Sequence, residues 1–199
     1  IPSGLIVDRY GPRRVLQACA LLGVLANVVY YFAPTYSFMQ LARLIEGLAI
    51  VHTYTAAPAF LMATCEGPRR ATAMTVWATY MPVGTAVGLL MAGQFAGTAD
   101  WRVAFLVHGG LYALVGLINQ RQPKIAVTAV AAGLAARLRD LRGAYSRLPL
   151  LLLAFAFFLA ISLGFGANTT FPSYFANLHA VPLATTSSLI ALATLLMVP

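Results

Sequence analysis

Gly4-Leu5-Ile6-Val7-Asp8-Arg9-Tyr10-Gly11-Pro12-Arg13-Arg14 decides the reading of this 199-residue chain. One carboxylate and three arginines stand among glycines, and a membrane-length apolar run follows at once. Glycines permit a tight reversal, so the stretch reads as a short cytoplasmic loop between two membrane helices. Composition agrees: 60% hydrophobic residues, 9% charged residues and a mean hydropathy of +0.81 lie outside the balance of a soluble domain. The net charge of +8 would suit a nucleic-acid binder. The basic residues, however, fall between apolar runs and form no binding face, so no nucleic-acid partner is expected.

A hydrocarbon core of about 30 Å takes roughly 20 helical residues. Runs of that order occupy 15–33, 38–65, 71–96, 101–118 and 148–167, and a sixth begins near Ser187. Arg9, Arg13, Arg14, Arg69, Arg70, Arg121, Lys124, Arg137, Arg139, Arg142 and Arg147 all fall in every second connector. Only Arg102 lies on the opposite side and Arg43 within a span, so the basic connectors are cytoplasmic by the positive-inside rule. The expected class is an all-α polytopic transmembrane bundle, multi-pass in the plasma membrane, with the lipid bilayer as its first partner. Three regions follow: a bundle over 1–118, a basic linker over 119–147 and the start of a second bundle over 148–199. In the linker Leu134, Leu138 and Leu141 make an apolar stripe with Arg137, Arg139 and Arg142 off it, the pattern of a helix resting on anionic headgroups. With Ile-Pro-Ser at one end and an apolar run at the other, the chain reads as a fragment with both ends missing.

The opening stretch resembles the loop signature of the major facilitator superfamily, in which Gly, then Asp-Arg four residues on, then Gly and a basic residue join helices two and three. Gly4, Asp8, Arg9, Gly11 and Arg13 match, while Pro12 stands where a basic residue is usual. The resemblance implies a loop over 1–14 after helix two, then helices 3 to 7 and part of 8. It further implies a secondary transporter working by alternating access, its halves rocking around a site near the bilayer midplane. In that setting Gly4, Asp8, Arg9, Gly11 and Arg13 would form a turn and a charge latch. Asp8 would cap a neighbouring helix N-terminus or pair with an arginine, and lose that contact as the halves separate. The plainer alternative is a solvated loop whose arginines only set orientation.

Arg43, Glu46 and Gly47 form the second constellation. Arg43 lies about 9 Å in from the non-cytoplasmic start of its span, at a rise of ~1.5 Å per residue. Charge at that depth costs several kcal/mol unless paired or wetted. Side chains at i and i+3 can meet on one face, so Arg43 and Glu46 either neutralise each other while Gly47 docks a neighbouring helix, or face a cavity as a gate, substrate-binding or coupling element. Arg43-Leu-Ile-Glu46-Gly47 resembles the family's helix-four motif, whose arginine is associated with proton coupling. Glu46 replaces the usual amide. His52, nine residues on, falls about half a turn round, on the other face.

In the third span Gly84 and Gly88 make a small-xxx-small helix-packing face, and Pro82 is expected to kink the helix. The proline-glycine pattern departs from that of proton-coupled drug exporters, which favours a solute symporter or uniporter over a drug antiporter, and it resembles the cyanate and related anion transporter branch. The charge of Arg43 points the same way, to a small organic or inorganic anion. Trp77, Tyr80 and His108, with Tyr54 and Asn168, would face a cavity or simply pack. Residues 171–175 read as an aromatic interfacial anchor with a turn. Cys19 and Cys65 are not expected to form a disulfide. With no HExxH, CxxC, phosphate loop or nucleophile elbow, no metal, cofactor or enzymatic activity is expected. The competing class is a non-transporting multi-pass receptor or assembly subunit, and the expected state is a monomer.

Overall fold

The computed structural model describes residues 2–125, 143 and 145–196, so the linker stripe and its arginines lie outside the described residues. Among the described residues eight helices follow one another: α1 (Pro2–Tyr10), α2 (Pro12–Phe32), α3 (Tyr36–Thr64), α4 (Gly67–Ala78), α5 (Tyr80–Phe95), α6 (Val103–Gln120), α7 (Leu148–His179) and α8 (Leu183–Leu195). Among the described residues five stretches are long and apolar enough to cross a membrane: α2, α3, α4 with α5 taken together, α6 and α7. Two compact units result. The first holds α1 to α4, the first two residues of α5, and α6; the second holds the remainder of α5 with α7 and α8.

The opening stretch is not a loop throughout. Gly4 to Tyr10 belong to α1, because Ser3 and Val7, four residues apart, bury one face against the core while Asp8, Arg9 and Tyr10 stay exposed. Val7 joins Val15, Cys19, Ala49 and Ala56 in the apolar cluster between α1, α2 and α3. The reversal rests on Gly11 alone. Its φ of 83° and ψ of 146° form a backbone that L side chains rarely adopt, and it is buried. Pro12 then opens α2 with a preset φ at a position whose N–H needs no partner. Replacing Gly11 by alanine is therefore expected to cost about 1–3 kcal/mol, read as a lower thermal midpoint in detergent. Gly4→Ala, inside a helix with open space around it, is the control that should not lower the midpoint.

The third span is interrupted at a single residue, Thr79, whose backbone stays right-handed helical, close to the expected proline. Pro82 lacks the N–H that would bond Ala78, and its ring crowds that carbonyl; α4 ends at Ala78 and α5 begins at Tyr80. Residues 171–175 make no turn. Pro172 is buried inside α7, which continues to His179 and ends at Ala180, whose φ of 52° is left-handed. The helix survives its proline as membrane helices do, and the stop comes just before Val181-Pro182 instead. At 32 residues α7 is about 48 Å long, well beyond a hydrocarbon core.

Candidate functional site

α3 presents a buried stripe of Ala42, Glu46, Ala49 and Ala56, spaced by four, three and seven residues. The alanines let α2 approach closely, and Glu46 falls among them only because its helical phase places it there. Its carboxylate accepts two bonds at Oε2: Arg43 Nη1 donates at 2.7 Å and the Tyr30 hydroxyl at 3.0 Å. The Glu46 side chain is 8% exposed and that of Arg43 73%. The carboxylate is thus held inside the bundle while the guanidinium reaches out from it. Pairing and hydrogen bonding together offset the desolvation that would otherwise expel a charge from this depth.

Tyr30 is hidden among apolar residues in the sequence. Its signal is the spacing Gly23, Asn27, Tyr30, one face of α2 at intervals of four and three. That face meets α6. Gly23 lies under the ring of Tyr112, Gly109 against Asn27, and Gly116 against Ala20. The Tyr30 and Phe105 rings stack at 4.6 Å. Asn27, fully buried, gives its amide N–H to Gly23 O at 2.8 Å.

Both ends of the α2 and α6 pair are tied. Arg13 donates to the carbonyls of Asn119 and Gln120 at the end of α6, and the Asn119 amide donates back to Arg13 O at 3.1 Å. At the far end Arg102 Nη2 donates to Ala33 O at 3.0 Å. Arg13 thus caps the closing carbonyls of a helix, where a cation is favoured. Asn119, read in the sequence as the first residue of the linker, lies in the last turn of α6 and completes the arrangement.

The remaining predicted residues are placed as follows. His52 Nδ1 lies 2.7 Å from Leu48 O within its own helix. Trp77 and Tyr80 straddle the break between α4 and α5 with ring centroids 4.8 Å apart, and Tyr54 of α3 stands 5.4 Å from Tyr80. Arg43, Gly47 and Tyr54 share one face of α3, since eleven residues make three turns. His108 lies against Tyr112 at 5.0 Å. Gly47, Gly84 and Gly88 have no described atom where a Cβ would stand; the close approach on α5 occurs at Gly93, against Ser187 of α8. Asn168 lies inside α7, not at the end of a span.

The class these features define is an all-helical bundle of membrane-length apolar helices with a buried, paired charge inside it and arginine ties at its helix ends. The profile of the Major Facilitator Superfamily matches residues 1–199, and the chain belongs to that family of transporters. It is 30% identical over 116 residues to the drug efflux pump JefA of Mycobacterium tuberculosis, covering 58% of this chain and 23% of the relative. It is 30% identical over 126 residues to the methyl viologen resistance protein SmvA of Salmonella typhimurium, covering 62% of this chain and 26% of the relative. The chain thus spans about a quarter of the length of these curated relatives. No solved structure matches it significantly.

Proposed function

We propose that this chain contributes to a secondary transporter of the plasma membrane that moves a small organic solute by alternating access, with Arg43 and Glu46 coupling solute movement to protons. The observation that carries this reading is the Tyr30, Glu46 and Arg43 cluster, an ionisable pair kept inside a membrane bundle at the cost of desolvation. Intramembrane ionisable groups mark ion and substrate pathways. Protonation of Glu46 would remove the partner that holds Arg43, so the guanidinium would be freed as the proton arrives.

The charge of Arg43 and the resemblance to the cyanate branch suggest an anionic substrate. Pairing with Glu46 balances that charge locally, and the named relatives carry out drug efflux and methyl viologen resistance. Export of an organic solute in exchange for protons is thus a second reading supported by the relatives' names. The two differ in direction under an imposed gradient.

Proteoliposomes carrying the transporter decide between them. Solute panels of anions, neutral compounds and organic cations are offered with and without a proton gradient, and Glu46→Gln is compared with wild type. Gradient-driven flux is expected in wild type and at least a tenfold loss in Glu46→Gln, the scale of removing one charge-assisted interaction of ~1.4 kcal/mol or more. Flux that ignores the gradient, or survives in Glu46→Gln, would refute the coupling role. Correctly inserted protein with no flux for any solute would favour a receptor or assembly subunit.

A further inference from the structure

At the end of the first unit opposite the arginine-rich connectors, the α2–α3 and α5–α6 turns enclose an open cleft of about 430 Å3. Its wall includes Tyr31 and Phe32 from the last turn of α2 and Asp100 and Arg102 just before α6. We propose that this cleft holds the phosphoethanolamine headgroup of a bilayer lipid.

Depth is the first ground. The cleft lies where membrane helices end, at the level of headgroups, and Trp101 beside it is an interfacial residue type. Phe32, 71% exposed, offers its ring outward where glycerol and the first acyl carbons would run.

Charge is the second ground. Arg102 is the one basic residue in the connectors of that side, where arginine is disfavoured. One donor of its five ties Ala33 O, and its guanidinium lies 5.2 Å over the Trp101 ring. The rest of the planar fork remains for a phosphate, which it matches in shape. Asp100, two residues before, makes no side-chain hydrogen bond or ion pair with any described residue. An exposed carboxylate beside a phosphate site would repel a purely anionic headgroup and welcome one carrying an ammonium. A zwitterion with both charges on one short arm satisfies both residues, and a primary ammonium, unlike the trimethylated head of phosphatidylcholine, can also donate hydrogen bonds to the Asp100 carboxylate.

The site is independent of transport, and so is its test. A background in which phenylalanine replaces every tryptophan but Trp101, Trp77 among them, leaves Trp101 as the sole emitter, next to Arg102. Protein in phosphatidylcholine vesicles is titrated with brominated phosphatidylethanolamine or brominated phosphatidylglycerol, and quenching of Trp101 gives their relative affinities at this location. Phosphatidylethanolamine is expected to bind about tenfold more tightly than phosphatidylglycerol. Arg102→Gln should lower that affinity by about tenfold, the scale of one charge-assisted bond, and Arg102→Lys, which keeps the charge but loses the fork, should fall between the parent and Arg102→Gln. Asp100→Asn should erase the difference between the two lipids. Equal quenching by both lipids in the parent, or unaltered quenching in Arg102→Gln, would overturn the assignment. So would full reversal of quenching by millimolar glycerophosphoethanolamine, which would make the occupant a soluble zwitterion.

Discussion

Arg43→Ala is expected to abolish coupled flux and to destabilise the bundle by about 2–3 kcal/mol. Breaking a fully buried pair costs about 3–5 kcal/mol; the smaller figure applies because the Arg43 side chain is 73% exposed and part of its charge is already solvated. The loss falls on Glu46, left in the α2–α3 interface with only the Tyr30 hydroxyl as a donor. Thermal unfolding in detergent should show a midpoint lower by roughly 5–10 °C for a chain of this size. The double variant Arg43→Leu with Glu46→Leu separates the two roles. Stability should return, because apolar replacement of a buried pair is often neutral or better, while flux should not. A double variant no more stable than Arg43→Ala would show that the pair matters less to the fold than the geometry indicates.

Gly23→Ala is expected to be the most damaging single methyl in the described bundle. A Cβ there would stand 2.5 Å from Tyr112 Cγ, the ring atom nearest the backbone, which cannot swing aside as a chain tip would. Glycine to alanine within a helix ordinarily gains about 0.5–1 kcal/mol. Here α6 must be displaced, and overpacking of this kind costs about 1–3 kcal/mol. Gly84→Ala supplies the contrast, since no described atom occupies the space around it, and its helix should keep the ordinary gain. Equal midpoints for the two variants would contradict the observed α2–α6 contact.

Hydropathy was enough to place the membrane-length helices, because apolar length is a property of the chain itself. The errors came where a local rule met its surroundings. Gly4 looked like a turn glycine, but Val7 and Ser3 bury a helical face there. Residues 171–175 looked like a turn, but a membrane helix tolerates Pro172 and stops at Ala180. The meeting of Arg43 and Glu46 was legible from their spacing on one helix. Tyr30, Asn119 and the glycines actually used for packing were not, since their partners lie more than 15 residues away in sequence and only the α2–α3, α2–α6 and α5–α8 interfaces bring them together.

The length of α7 makes bilayer thickness a variable that this protein must answer to. A helix of about 48 Å in a core of about 30 Å either tilts or stands proud. Its outer third, with Asn168, Thr169, Thr170, Asn177 and His179, can bear immersion in water, whereas the leucine and phenylalanine run that opens it cannot. Short-chain lipids would lift more of that polar end clear of the membrane, and long-chain lipids would draw it in. Activity measured across acyl-chain lengths therefore tests this helix as directly as any substitution in it.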